Sequence, residues 1–151
     1  MYRVLMPIDT DTRRAKGQAK TAIRLNDEMA ELEVIALHVH EEIDHHPDEG
    51  GRSYIDDLNE NLVDIQGRPE AFDLAVQQLQ DAGVNVSENA LVGKPAPAII
   101  ELSDEFDVDA ILLGVRKRSP VGKVLFGSVT QAVILESDRP ILTAPAALSE
   151  A

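Results

Sequence analysis

The 151-residue chain has no cysteine, so disulfides and thiolate metal sites are excluded. It is short of positive charge: 14 Lys and Arg stand against 27 Asp and Glu, a formal net charge of −13. Non-specific binding to nucleic acid or an anionic membrane is therefore not expected, because phosphate surfaces need cationic partners. No apolar run approaches the ~20 residues that span a bilayer. The first residues, Met1 to Asp9, turn acidic too soon for a secretory leader, and a cytoplasmic location is the expectation. Arginine (nine) outnumbers lysine (five), and an acidic, lysine-poor surface also suits concentrated salt. No internal repeat, linker or low-complexity segment breaks the chain. Its length predicts one domain over residues 1–151, with 146–151 as a frayed tail.

What is present alternates. Val4 to Ile8 is a short apolar run ending at Asp9, read as a first, central strand. A helix is expected from about Ala15 to Ala30, with Ala15, Ala19, Ala22, Ile23 and Met29 on its apolar side. Gly17 weakens that helix by up to about 1 kcal/mol relative to alanine, and Arg13 and Arg14 oppose its dipole. Glu33 to Val39 is a second strand, and from His40 a polar loop is expected. Ile55, Leu58 and Leu62 have helical spacing. Residues 71–82 keep helical period up to a stop at Gly83. A third strand, of edge type, covers 84–92, and Pro97 opens a helix over 98–106. Ala110 to Leu113 is a fourth strand, 129–136 a last helix and Pro140 to Ala144 a fifth strand. Strands and helices in this alternation make an open parallel sheet with helices on both faces. Ligands of such sheets bind at the carboxyl ends of the strands, where the strand order reverses.

Chemistry concentrates between the fourth strand and the last helix, in Gly114-Val-Arg-Lys-Arg-Ser-Pro-Val-Gly-Lys-Val-Leu-Phe-Gly127-Ser128. Arg116, Lys117, Arg118 and Lys123 make a local positive patch on an acidic protein. Helix-start N–H groups and basic side chains together suit a phosphate-sized anion. Ser128 and Gln131 have the spacing of a capping box, so Ser128 either caps the last helix or holds phosphate oxygens. The loop is not a P-loop: Gly114 and Gly122-Lys123 are too far apart, and Val124 stands where Ser or Thr would hold magnesium. Asp9 and Asp11 could imitate the acidic pair of a phosphoacceptor domain. Val39, Val92 and Gly114 end the later strands, so its second aspartate is missing. His38, His40, His45 and His46 with Asp44 match no compact metal motif, and no metal site is expected.

The sequence resembles the universal stress proteins of the nucleotide-binding type, which carry Gly-x2-Gly-x9-Gly-Ser/Thr here. In this chain the pattern reads Gly114-x2-Lys117-x9-Gly127-Ser128, with lysine replacing the second glycine. Pro7-Ile-Asp9, Leu37-His-Val39 and Val92-Gly-Lys-Pro95 extend the resemblance along the chain. It implies strand order 3-2-1-4-5. It implies an adenine nucleotide, ATP or else ADP or AMP, with magnesium or manganese left open. The implied contacts are Pro7, Asp9 and Val39 at the base and sugar, and Gly114, Gly127, Ser128 and Val129 at the phosphates, with Arg116 and Lys117 of the basic patch added to the phosphate site from the residues themselves. It also implies a homodimer through the last strand, Ile141 to Ala144. The alternatives are a dimeric scaffold that binds no nucleotide, and a slow ATPase or phosphotransferase, for which the sequence offers no catalytic residue.

Overall fold

The structure is a computed structural model and describes residues 1–41, 68–115 and 127–147. In chain order the elements are β1 (Tyr2–Pro7), α1 (Thr12–Glu28), β2 (Leu32–Glu41), α2 (Glu70–Asp81), β3 (Asn85–Gly93), α3 (Pro95–Glu105), β4 (Ala110–Val115), α4 (Ser128–Glu136) and β5 (Ile141–Pro145). All five strands run parallel in the order β3-β2-β1-β4-β5, the order expected. The segment with Ile55, Leu58 and Leu62 lies outside the described residues, as do Arg116, Lys117, His45 and His46.

Side chains alternate across a strand, so β1 and β2 feed two cores. Val4, Met6 and Ile8, with Val34 and Ala36, face α1 and α2 and pack on Ala15, Ala19, Ala22 and Phe72. Leu5, Ile35 and Leu37 face the other way, with Ile111 and Leu113 of β4, against Ile99 of α3 and Val133 of α4. The small residues of α1 let that helix lie close on the sheet. Burial on both faces explains why the central strands read as nearly continuous apolar runs.

Several boundaries differ from the sequence reading, each for a local reason. Helix α1 starts at Thr12, not Ala15, because Asp11 caps it: the Asp11 carboxylate accepts from the Arg14 N–H at 3.0 Å. Asp9 makes the Asx-turn that precedes it, accepting from the Asp11 N–H at 2.8 Å. Burial works to raise the Asp11 carboxyl, but the Arg14 N–H and guanidinium outweigh it and hold it below the usual range. Strand β2 continues through His40 to Glu41, in register with β3 to Gly93. Helix α3 starts at Pro95, whose missing N–H costs nothing in the first turn. Gly83, the expected stop after α2, has φ +78°, the left-handed conformation that favours glycine.

Strand β4 runs on to Val115, so Gly114 lies within the strand, paired with Ala144. The capping box does not form. Gly127 is the N-cap of α4, no side chain caps it, and Ser128 is the first helical residue. Among the described residues no helix is long and apolar enough to cross a membrane.

Candidate functional site

Strands β1 and β4 pair only at Val4↔Ala110 and Leu5↔Ile111, then part. The carboxyl half of β1 keeps its ladder with β2 as far as Pro7↔Leu37. Pro7 is suited to this place, because it has no N–H to lose where a neighbouring strand leaves. The carbonyls left by the divergence are met from α1: the Gln18 amide donates to Pro7 O at 2.6 Å and to Leu112 O at 3.1 Å. Gln18 is 1 % exposed, so without these bonds its amide would be a costly buried polar group.

Above Gln18 the gap opens into a cavity of about 570 Å³, within the usual range for small-molecule sites. Its described lining comes from the ends of β1, β2 and β4, from α1, and from the starts of α3 and α4. Seven of the nine residues expected from the sequence meet there: Pro7, Asp9, Val39, Gly114, Gly127, Ser128 and Val129. The other two, Arg116 and Lys117, lie outside the described residues.

The two sides of the cavity differ in polarity. On the β1 side, Asp9 projects a half-exposed carboxylate, which accepts from the Asp11 N–H at 2.8 Å and pairs with Arg14 at 3.0 Å. On the α4 side lies a nine-residue helix whose first turn is free of side-chain caps and of acidic residues. The N–H groups of that turn have no partner within the helix and, with the positive end of the helix dipole, favour an anion. One wall therefore accepts hydrogen bonds and the other donates them.

Two glycines near this site have different reasons. A Cβ on Gly114 would stand 3.1 Å from Arg14 Cβ and 3.1 Å from Gln18 Cδ, so Gly114 is needed for the close seating of α1 on β4. A Cβ on Gly127 would meet no described atom within 4 Å, and its φ of −70° is open to any residue. Among the described residues, the space beside Gly127 at the start of α4 is clear.

Arg14, Gln18, His38 and His40 also line the cavity and were not among the expected site residues. A signal for Gln18 exists in the sequence, where it sits inside the Ala15-Ala19-Ala22 stripe at helical spacing. His38 and His40 alternate along β2 and both are buried. His38 Nδ1–H donates to Ile8 O at 2.8 Å, and its ring meets that of His40 edge to face, centroids 4.5 Å apart.

Burial pushes the His38 pKa below its ordinary value of 6.5; the Ile8 carbonyl and Asp9 oppose this without reversing it, and His40 adds to it. A histidine with a lowered folded-state pKa stays neutral while the unfolded chain takes up a proton. Stability is therefore complete above about pH 6.5 and declines as pH falls toward the lowered value. The denaturation midpoint is expected to fall between pH 7 and pH 5.5, and to fall less in His38→Asn. An imidazole titration by NMR that places His38 at or above 6.5 would contradict this.

The sequence profile of the Universal stress protein family matches residues 1–145. A universal stress protein of Mycolicibacterium smegmatis is 40% identical over 65 residues, covering 42% of this chain and 50% of its own length. This chain thus spans about half the length of the curated relatives it matches. Among solved structures, a universal stress protein from Archaeoglobus fulgidus superposes with a TM-score of 0.67 at 27% identity, over 95% of this chain and 98% of that one. A universal stress protein from the same organism in complex with dAMP superposes with a TM-score of 0.61 at 23% identity, over 95% and 98% of the two chains. The profile match covers nearly the whole chain, and the sheet has the strand order that the resemblance implied; the chain belongs to the universal stress protein family.

Proposed function

We propose that this protein binds an adenine nucleotide, ATP foremost, in the crevice between β1 and β4, and that binding sets its state as a stress-response regulator. The observation that carries this reading is the two-sided polarity of the cavity. A nucleotide has hydroxyl and amine donors at one end and an anion at the other. The acceptor at Asp9 suits the first, and the uncapped start of α4 at Gly127, Ser128 and Val129 suits the second. Pro7 and Val39 then border the base and sugar, and Gly114 the phosphates. Arg116 and Lys117 follow β4 in sequence and add charge for the phosphates, with the Lys117 ammonium taking the place of a close glycine contact. The complex of the Archaeoglobus protein with dAMP supports the choice of adenine. Magnesium or manganese would accompany the phosphates, taking most of its ligands from phosphate and water.

The protein is proposed to act in the cytoplasm as a homodimer paired through Ile141 to Ala144, which would cover an apolar edge strand. A dimeric scaffold without nucleotide is the second reading. It draws on α4, where Leu135 is 74 % exposed and could meet a protein partner.

Calorimetric titration of ATP, ADP and AMP into nucleotide-stripped protein, with and without magnesium, tests the proposal. Micromolar binding of ATP, tighter than AMP, is expected. No heat of binding with any of the three would overturn the nucleotide reading and leave the scaffold.

A further inference from the structure

We propose that Arg14 is a positioning residue, which holds the Asp9 carboxylate ready to accept hydrogen bonds from a vicinal diol such as a nucleotide's ribose. The inference rests on the nucleotide reading above and adds a specificity determinant to it.

The geometry is that of a carboxylate fixed from behind. Among the described residues each Asp9 oxygen has one partner: Oδ1 accepts from the Asp11 N–H at 2.8 Å, and Oδ2 is paired with Arg14 at 3.0 Å. A carboxylate has about four lone-pair sites, so both oxygens keep accepting capacity after these bonds. Arg14 is itself held. Its backbone N–H donates to Asp11 Oδ1 at 3.0 Å, and its buried Nε, with no hydrogen-bond partner among the described residues, lies at ion-pair distance, 3.4 Å, from Asp11 Oδ2. The start of its side chain is seated over Gly114, where even a methyl group would crowd it. The exposures differ in the direction that matters: the Arg14 side chain is 19 % exposed and that of Asp9 is 51 % exposed. The acid, not the cation, is the group presented to a ligand.

Charge points the same way. Two carboxylates share one guanidinium, so the Asp9–Arg14–Asp11 group is net negative. It would repel a phosphate and attract hydroxyl donors. A nucleotide is thereby oriented with its sugar at β1 and its phosphates at α4. Without Arg14, Asp9 would lose one of the two bonds that fix its rotamer, and the acceptor would have to be ordered on binding.

The test compares ATP, 2′,3′-dideoxy-ATP and inorganic tripolyphosphate by calorimetry. The proteins are the wild type, Asp9→Asn, Arg14→Gln and Arg14→Lys, each checked for folding by circular dichroism. Wild type should prefer ATP over the dideoxy compound by about tenfold, the scale of a hydrogen bond to a charged acceptor. Asp9→Asn should lose that preference. Arg14→Gln should reduce it to roughly threefold or less, and Arg14→Lys should restore part of it. Tripolyphosphate affinity should not weaken in either Arg14 variant. An undiminished preference in Arg14→Gln overturns the inference. So does weakened tripolyphosphate binding, which would make Arg14 a direct phosphate contact. Wild-type binding that ignores the diol overturns this inference alone; no binding of either nucleotide overturns the nucleotide reading as well.

Discussion

Gly17→Ala is expected to destabilise the protein by about 3 kcal/mol or more, a loss of roughly 6–12 °C in melting temperature for a chain of this size. Helix propensity alone predicts the reverse, since alanine in a helix interior is better than glycine by up to about 1 kcal/mol. Packing decides the sign. Gly17 is buried on α1, and a Cβ there would lie 2.0 Å from the Pro145 carbonyl oxygen and 3.1 Å from Ala146 Cα. These are backbone atoms at the end of β5, and they cannot rotate aside as a side chain would. They are also tethered: the Ala146 N–H donates to Val115 O at 3.1 Å, and the Ala147 N–H donates to Arg13 O at 2.9 Å. To admit a methyl group, α1 must lift from the sheet edge or these bonds must break. Either change would reach the crevice, because α1 also supplies Arg14 and Gln18 to it. Equilibrium unfolding in urea measures the effect. A variant as stable as wild type, or more stable, would show that α1 and β5 are not in this contact.

Gly127→Val is expected to do the opposite: it should leave the fold nearly intact and weaken ATP binding by about a hundredfold or more. Valine is accepted by the backbone here, where φ is −70° and ψ is 167°, and its Cβ meets no described atom within 4 Å. The structural cost is that of a poorer N-cap, about 1 kcal/mol. The binding cost arises because a phosphate at the start of α4 must come within hydrogen-bond reach of backbone N–H groups, and a branched side chain at the cap occupies that approach. Paired urea denaturation and ATP titration read the two effects separately. Wild-type affinity in Gly127→Val would mean that the phosphates do not lie at α4. Unfolding would mean that the space around Gly127 is not free.

The contrast between these glycines shows what a sequence can and cannot convey. Both look alike in a linear reading. Gly127 stands out in the sequence because its signal is local: it precedes a serine and a helix, at a fixed spacing from Gly114. Gly17 reads only as a weak point in a helix, because the atoms that require it come from residues 145 and 146. In the sequence Gly114 has the place of a phosphate-loop glycine at a strand end. In the fold it lies within β4, and α1 requires it. The Ser128–Gln131 capping box was a sound local pattern, but the chain enters α4 with Gly127 as the cap, leaving Ser128 at the first helical position. Arg13 and Arg14 appeared only as charges opposing a dipole. Asp9 and Asp11 give Arg14 its reason: the turn between β1 and α1 brings both carboxylates onto its guanidinium.

Alternating apolar runs, their lengths and the glycine and proline positions between them determined the parallel α/β architecture and the carboxyl ends of β1 and β4 as the place to look. Those signals are short-range, since strand burial, helical period and turn chemistry are written in neighbouring residues. Tertiary structure alone decided how the crevice is held open and what faces into it. Gln18 reaches the carbonyls of Pro7 and Leu112, residues 11 and 94 positions away, and Arg14 is seated against Gly114, 100 residues on. Such contacts depend on which helix face lands on which strand, and a polar residue on that face has no local mark that separates a buried partner from a solvated one.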